Sequence, residues 1–137
     1  MLQQLEFYKH RFEVLSCQEI ILIDDDEITL LYNQNVLHKI YPNIPVRHFL
    51  TIESAMEHLV QAPHINRLVL LDLHIGSQTA FDFLSQVEAA HVDDLYIAIL
   101  TSSSLSINKK VALMFDVVGA YLIKPLSNAH FTAMNKL

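Results

Sequence analysis

Residues 20–26 read IILIDDD, which is four apolar residues followed at once by three aspartates. Three further apolar runs also end in residues that can bind metal or phosphate, and these are residues 68–72 (LVLLD), 97–102 (IAILTS) and 121–125 (YLIKP). Short continuous apolar runs are typical of strands buried on both faces, as in a parallel sheet. The four runs therefore predict parallel strands with polar residues at their carboxyl ends.

Helix-like segments alternate with these runs from about residue 19 onward, which predicts a doubly wound α/β domain. Apolar residues recur at helical spacing from Ile28 to Ile40, and Asp25 or Asp26 is well placed to cap that helix. Residues 52–62, about 79–90, 106–117 and 127–137 also read as helices, residues 46–50 read as an edge strand, and Gly119 precedes the fifth strand. We expect five βα units in one five-stranded parallel sheet with the strand order 2-1-3-4-5, counted along the chain.

The composition is that of one globular domain with a well-filled core, since 52% of the 137 residues are hydrophobic. No apolar stretch approaches the ~20 residues that a bilayer span needs, and the N-terminus lacks a signal pattern. The single cysteine, Cys17, cannot form an internal disulfide, which favours a cytoplasmic protein. The net charge of −6, with only Lys109 and Lys110 adjacent, argues against direct nucleic-acid binding.

Residues 1–16 stand outside the βα pattern and form an N-terminal extension to a domain over residues 17–137. Apolar residues in the extension lie three and four apart, which is the spacing of an amphipathic helix: Leu2, Leu5, Tyr8, Phe12 and Leu15. Three interpretations remain open, namely a frayed extension, a helix packed on the domain and a helix that pairs two chains.

The aspartates at two strand ends predict a metal site. In an open parallel sheet, sites form just beyond the carboxyl ends of the strands. Asp24, Asp25 and Asp72 offer hard oxygen ligands of the kind that Mg²⁺ selects. Unneutralised carboxylates at such a site would repel, so the cluster needs Mg²⁺, Lys124 or both. The alternative is that the first aspartates only cap the helix and face solvent.

Asp72 can also act as a nucleophile, because a carboxylate attacks phosphorus to give an acyl phosphate. Phosphoryl transfer needs little from a protein beyond alignment and charge neutralisation. Mg²⁺ and Lys124 can neutralise the charge, and the Thr101 hydroxyl can hydrogen-bond a phosphoryl oxygen. Each of these residues is ordinary at a strand end, so it is their joint placement that indicates the chemistry.

These motifs, spread over residues 19 to about 136, resemble the response regulator receiver domain of two-component signalling. The resemblance implies a flavodoxin-like fold with Asp72 as the phosphoacceptor and Lys124 as its phosphate partner. It implies that Mg²⁺ is held by Asp25, Asp72 and the His74 backbone carbonyl, with Asp24 joining through a water. It further implies that the Thr101 hydroxyl moves toward the phosphoryl group, that Tyr121 is an aromatic switch, and that the Lys124–Pro125 bond is cis.

The function implied by the resemblance is that of a phosphoprotein in a phosphorelay. A histidine kinase or phosphotransfer protein would donate the phosphoryl group to Asp72. The signal would pass to a downstream protein target through a face formed by the fourth helix, fifth strand and fifth helix, with a homodimer as one option. Such a chain is not a classical enzyme, although it phosphorylates itself and can slowly lose the phosphoryl group. The short stretch after Pro125 favours a single-domain regulator or a piece of a longer one.

The loop after the acceptor departs from the family, which often has a Pro-Gly pair there. In this chain residues 74–80 read HIGSQTA, so the proline is missing but no proposed ligand is lost. Two other functions stay open. One is a degenerate receiver that binds partners without being phosphorylated, and the other is a phosphatase with an Asp nucleophile. Haloacid-dehalogenase-like phosphatases typically carry a second Asp two residues after the nucleophile, where this chain has His74.

Overall fold

The computed structural model describes residues 5–102 and 106–136. The strands found there are β1 (Phe7–Tyr8), β2 (Glu19–Ile23), β3 (Val46–Phe49), β4 (Arg67–Asp72), β5 (His74–Ile75), β6 (Gln78–Thr79), β7 (Leu95–Thr101) and β8 (Val118–Ile123). The helices are α1 (Glu27–Ile40), α2 (Ile52–Gln61), α3 (Ala80–Ala89), α4 (Ser106–Leu113) and α5 (Asn128–Lys136), with a short 3-10 helix at Val14–Ser16. None of the helices in these ranges combines the length and apolar character needed to cross a bilayer.

The main sheet has six strands in the order β3-β2-β4-β7-β8-β1. The first five of these pair in parallel, which confirms the predicted order 2-1-3-4-5. The register pairs Ile23 with Leu71, Asp72 with Leu100, and Thr101 with Ile123. The carboxyl ends of β2, β4, β7 and β8 therefore lie side by side at one edge.

Both faces of the sheet are covered by helices, as expected for a doubly wound fold. Alternate strand residues such as Ile21 and Val69 share one apolar cluster with residues of α2, α3 and α4. The intervening residues, such as Leu22 and Leu70, share a second cluster with residues of α1 and α5. Burial on both faces explains why the central strands read as continuous apolar runs.

Helix starts are fixed by side chains that accept hydrogen bonds from free backbone N–H groups. Asp26 caps α1 by accepting from the Ile28 N–H at 3.1 Å. Of the two capping candidates, Asp26 therefore fills this role. At α3, Thr79 and Asp82 form a reciprocal capping box.

In its described part, residues 5–16, the N-terminal extension forms neither of the two amphipathic helices that its apolar spacing left open; Leu2 lies outside the described residues. Phe7 and Tyr8 instead form β1, which pairs antiparallel with β8. The side chain of Phe12 is buried, whereas Leu15 is 98% exposed. Both helical interpretations were wrong because the edge of β8 offers backbone hydrogen-bonding partners, and adjacent aromatic residues fit a strand. The frayed interpretation does not hold for Phe7 and Tyr8 either, since both residues pair with β8.

Two further boundaries differ from the predictions. Gly119 lies inside β8 rather than before it, and α4 ends at Leu113 instead of continuing to residue 117. The ring of Tyr96 packs directly against Gly119, and its hydroxyl donates to the His10 carbonyl at 2.6 Å. A Cβ atom at position 119 would overlap that ring.

Gly119→Ala is therefore expected to destabilise the protein by about 1–2 kcal/mol, because the pinned Tyr96 ring must move. Urea unfolding followed by circular dichroism measures the change. The Tyr96→Leu background should remove most of this penalty, since the clashing ring is then absent. An equal penalty in both backgrounds would contradict the proposed clash.

Candidate functional site

The candidate site lies where four parallel strands end. Asp24 and Asp25 follow β2, while Asp72 ends β4 and Thr101 ends β7. The carboxylates of Asp24, Asp25 and Asp72 each place an oxygen atom within 4.8 Å of the others. Residues separated by almost fifty positions in the sequence are thus brought into one acidic cluster by strand register.

Lys124, the residue after β8, bridges two of these carboxylates. Its Nζ atom lies 3.3 Å from Asp24 Oδ2 and 3.3 Å from Asp72 Oδ1. The side chain of Asp24 is only 5% exposed, that of Asp72 is 14% exposed, and that of Lys124 is 24% exposed. One ammonium group in a half-buried position therefore offsets part of the negative charge of the cluster.

Backbone N–H groups hold each carboxylate in place. The Asp26 N–H donates to Asp24 Oδ1 at 2.9 Å, and the Leu73 N–H donates to Asp72 Oδ1 at 2.9 Å. The exposed Asp25 accepts from the Gly76 N–H at 2.8 Å through Oδ2. These contacts orient the oxygen atoms before any ligand binds.

The loop after Asp72 forms a small hairpin, whose conformation the sequence interpretation left undefined. β5 and β6 pair antiparallel, with His74 opposite Thr79 and Ile75 opposite Gln78. Gly76 has φ +61°, a left-handed conformation that glycine adopts readily. In the sequence, the Gly-Ser pair between the two short strands could have indicated this hairpin, since such pairs favour tight hairpin turns. The exposed His74 begins this hairpin two residues after Asp72.

The electrostatics of the cluster favour binding of a cation. Burial, reinforced by the charge on Asp24, raises the pKa of Asp72 to about 6, although Lys124 acts in the opposite direction. Ionisation of Asp72 is therefore less favourable in the folded protein than that of an ordinary aspartate, and a further positive charge would offset the difference. Three carboxylates with hard oxygen atoms fit Mg²⁺, which would relieve their repulsion.

Thr101 ends β7, and Tyr121 lies in the neighbouring β8, three residues before Lys124. Thr101 is 2% exposed, and its carbonyl accepts from the Lys124 N–H at 2.8 Å. The Lys124–Pro125 peptide bond is cis, the geometry implied by the resemblance. Tyr121 is 1% exposed and sits in the apolar cluster that faces α4. In the part of the chain that the structure describes, its hydroxyl is buried without a hydrogen-bond partner.

Residues of the N-terminal extension also reach the flank of the site, which the sequence interpretation missed. Glu6 Oε2 accepts from the Ile123 N–H at 2.8 Å, immediately before Lys124. The ring of Phe7 stacks on that of Tyr121, with centroids 5.7 Å apart. In the sequence, the adjacent aromatic residues Phe7 and Tyr8 could have indicated this strand, because such a pair favours a strand over a helix.

Many solved structures that match this chain are response regulator receiver domains covering most of it. A receiver protein from Dyadobacter fermentans matches with a TM-score of 0.72 and 23% identity, over 86% of this chain and 94% of that chain. A two-component response regulator from Legionella pneumophila matches with a TM-score of 0.71 and 25% identity, over 85% of this chain and 93% of that chain.

A response regulator from Burkholderia pseudomallei, solved with a phosphorylated aspartic acid, a calcium ion and citrate, matches with a TM-score of 0.69 and 19% identity. This match covers 87% of the present chain and 66% of that chain. No protein-family model matches the sequence, and no curated protein sequence matches it. The predicted resemblance to receiver domains is therefore confirmed at the level of the fold.

Proposed function

We propose that this chain is the phosphoacceptor receiver of a two-component phosphorelay, with Asp72 accepting the phosphoryl group. The observation that carries the proposal is the bridging of Asp24 and Asp72 by Lys124 Nζ, at 3.3 Å from each, beside Asp25. A structural ion pair would need only one carboxylate. Three carboxylates around one ammonium leave excess negative charge, which suits a divalent cation and a phosphoryl group.

In the proposed reaction, an oxygen atom of Asp72 attacks the phosphorus of a phosphohistidine on the donor protein. The P–O bond to Asp72 forms while the P–N bond breaks, and the electron pair stays on the imidazole, which takes up a proton. Lys124 neutralises charge on the phosphoryl oxygens, and the Thr101 hydroxyl donates a hydrogen bond to one of them. Mg²⁺ held by Asp25, Asp72 and the His74 carbonyl, with Asp24 joining through a water, would supply the remaining positive charge.

The new phosphoryl charge, about −1.5 to −2, would change the balance of contacts at the site. Thr101 and Lys124 move toward it, and Tyr121 fills the space that Thr101 leaves. This shifts an existing equilibrium at the surface formed by α4, β8 and α5, where a downstream protein binds. A shift from mostly inactive to mostly active needs several kcal/mol of differential interaction.

The exposed face of α1 is the proposed docking surface for the phosphoryl donor. Ile28, Leu31 and Tyr32 are 80%, 60% and 48% exposed, and their spacing of three and four residues places them together on one face of the helix. Ile28 and Tyr32 also line a cavity of about 300 Å³ with Lys124 and Pro125. A donor protein seated on this patch would bring its phosphohistidine next to the acidic cluster.

The proposal also places the chain in a reducing compartment such as the cytoplasm. Cys17 is free and partly buried, and it lies against the apolar cluster that faces α1 and α5. A lone thiol of this kind persists where disulfides are not formed.

Incubation with acetyl phosphate and Mg²⁺ is expected to add one phosphoryl group, because the small donor bypasses the need for a partner protein. Intact mass spectrometry detects the addition, and hydroxylamine should remove it, as it cleaves acyl phosphates. Omission of Mg²⁺ is the control. Gel filtration of the labelled protein tests whether phosphorylation produces the homodimer.

Two outcomes would favour the other candidate functions. If neither acetyl phosphate nor beryllofluoride with Mg²⁺ altered the mass or the spectrum of the protein, the chain would be a degenerate receiver. Rapid multiple turnover of a phosphomonoester would instead indicate a phosphatase. That reaction lacks an evident acid–base carboxylate here, because His74 stands two residues after Asp72.

A further inference from the structure

The N-terminal segment of residues 6–12, here called the clamp, crosses the surface formed by α4, β8 and α5. At α4, Lys9 Nζ donates to the carbonyls of Leu113 and Phe115 at 3.2 and 3.3 Å. At α5, the Phe12 N–H donates to the Met134 carbonyl at 2.9 Å. The clamp therefore joins all three elements of the surface through which the proposed signal would pass.

The middle of the clamp covers the proposed switch residue. Phe7 lies opposite Tyr121 in the antiparallel pairing of β1 with β8. Their rings stack with centroids 5.7 Å apart and planes 15° from parallel. Tyr121 keeps its hydroxyl buried without a partner among the described residues, which is unfavourable by itself. Its buried position needs compensating contacts, and the Phe7 ring provides one of them.

The acidic end of the clamp fixes the chain next to Lys124. Glu6 Oε2 accepts from the Ile123 N–H at 2.8 Å and lies 2.8 Å from Nε2 of His130 on α5. The side chains of Glu6 and His130 are 18% and 8% exposed, so this contact is shielded from water. The Tyr8 hydroxyl donates to the other Glu6 oxygen at 3.1 Å. Glu6 thus ties the end of β8, and with it the position of Lys124, to α5.

We propose that the clamp holds Tyr121 in its buried position, so that Glu6 and Phe7 are positioning residues for the switch. The link between the clamp and phosphorylation rests on the proposed function, in which Tyr121 is buried in the phosphorylated state. Attachment of the clamp and phosphorylation of Asp72 then both favour the conformation in which Tyr121 is buried. Because coupling between two such events is reciprocal, loosening the clamp weakens binding of a phosphoryl mimic at Asp72.

The first arm of the test needs no phosphorylation. Protein carrying 3-fluorotyrosine is studied by ¹⁹F NMR, and the Tyr121 signal is assigned by its loss in Tyr121→Phe. We expect the Tyr121 signal to show almost no solvent isotope shift in the parent protein. In Phe7→Ala the shift should rise toward that of Tyr32, which is 48% exposed. Leu15→Ala is the matched control, because Leu15 lies in the same extension but is 98% exposed.

The second arm measures the affinity for beryllofluoride in the presence of Mg²⁺. Loss of one aromatic stack should weaken binding about fivefold in Phe7→Ala and leave Leu15→Ala unchanged. Phe7→Leu, which keeps apolar volume without stacking, and Glu6→Gln serve if Phe7→Ala fails to fold by circular dichroism. Each of these variants should weaken beryllofluoride binding, but by less than Phe7→Ala does.

The two arms separate the clamp from the proposed function. A Tyr121 signal that stays protected in folded Phe7→Ala and Phe7→Leu would overturn the clamp. Equal beryllofluoride affinity in the parent and in a variant with exposed Tyr121 would overturn its coupling to the site. If Tyr121 became exposed but the parent bound no beryllofluoride, the clamp would stand and the proposed receiver function would fail.

Discussion

Asp72→Asn is expected to abolish labelling by acetyl phosphate, because a carboxamide oxygen does not form a stable acyl phosphate. The substitution retains the size of the side chain and its contact with the Leu73 N–H. The fold should therefore remain intact, as circular dichroism would show. Intact mass after incubation with acetyl phosphate and Mg²⁺ measures the loss. Asp93→Asn, which alters an aspartate outside the cluster, should be labelled like the parent. Undiminished labelling of Asp72→Asn would refute the acceptor assignment.

The same substitution is expected to stabilise the metal-free protein at pH 7. Folding raises the pKa of Asp72 from 3.8 to about 6, through burial first and then the charge of Asp24. A raised carboxyl pKa means that stability present at low pH is lost as the pH rises from 3.8 to about 6. The gain from asparagine should therefore be seen above pH 6 and vanish near pH 4. We expect about 1 kcal/mol, because water at the open side of the site screens the repulsion.

Urea unfolding in the presence of EDTA, at pH 7 and near pH 4, measures this gain. Added Mg²⁺ should then stabilise the parent protein more than Asp72→Asn, because the variant offers one carboxylate fewer. A loss of stability at pH 7 in the metal-free variant would show that Lys124 already neutralises the cluster.

Glu19→Gln is expected to destabilise the protein by about 3 kcal/mol, the largest stability effect that we predict. Glu19 Oε1 accepts from Arg67 Nε at 2.8 Å, and the side chain of Arg67 is only 1% exposed. Removing the carboxylate charge leaves a buried guanidinium group without its counter-charge. Arg67 Nη1 has no hydrogen-bond partner among the described residues, so no alternative contact of that atom offsets the loss.

Urea unfolding measures this change, and Arg47→Gln is the matched control. Arg47 binds the other oxygen of Glu19 at 2.9 Å, but its side chain is 60% exposed, so its removal should cost less than about 1 kcal/mol. Equal losses in Glu19→Gln and Arg47→Gln would contradict the assigned role of the buried Arg67.

Glu19 contributes to the pH dependence of the free energy of unfolding with the opposite sign to Asp72. Burial raises the pKa of Glu19, but hydrogen bonds from His58 and Arg67 outweigh it and hold the pKa below 4.5. A lowered carboxyl pKa stabilises the folded protein above that value, and this stability is lost as the pH falls through the folded-state pKa. Glu19→Gln should therefore unfold with a weaker dependence on pH in this acid range.

The parallel strands and the acidic cluster could be predicted because their signals are local. Each central strand is buried on both faces, so its sequence is a continuous apolar run, and each run ends in the polar residue that lies at the site. The right-handed crossover rule left few strand orders, and among them the order 2-1-3-4-5 was favoured, which places the four polar strand ends side by side. The placement of Asp24, Asp72 and Lys124 needed nothing beyond these two steps.

The features that escaped prediction depend on contacts between distant parts of the chain. β1 forms because Phe7 meets Tyr121 at a sheet edge, whereas its own sequence also fits the spacing of a helix. Gly119 lies within a strand because the Tyr96 ring occupies the space of its side chain. The sequence alone does not show which edge is open or which ring lies nearby.

The two edge strands of the main sheet help the protein to avoid aggregation. One edge strand is β1, which is only two residues long, and the other is β3, where Arg47 and His48 are exposed. A short edge strand and a polar edge strand are both poor templates for adding a strand from a neighbouring molecule. Chains at high concentration should consequently resist fibril-like stacking, and any self-association should use helix surfaces.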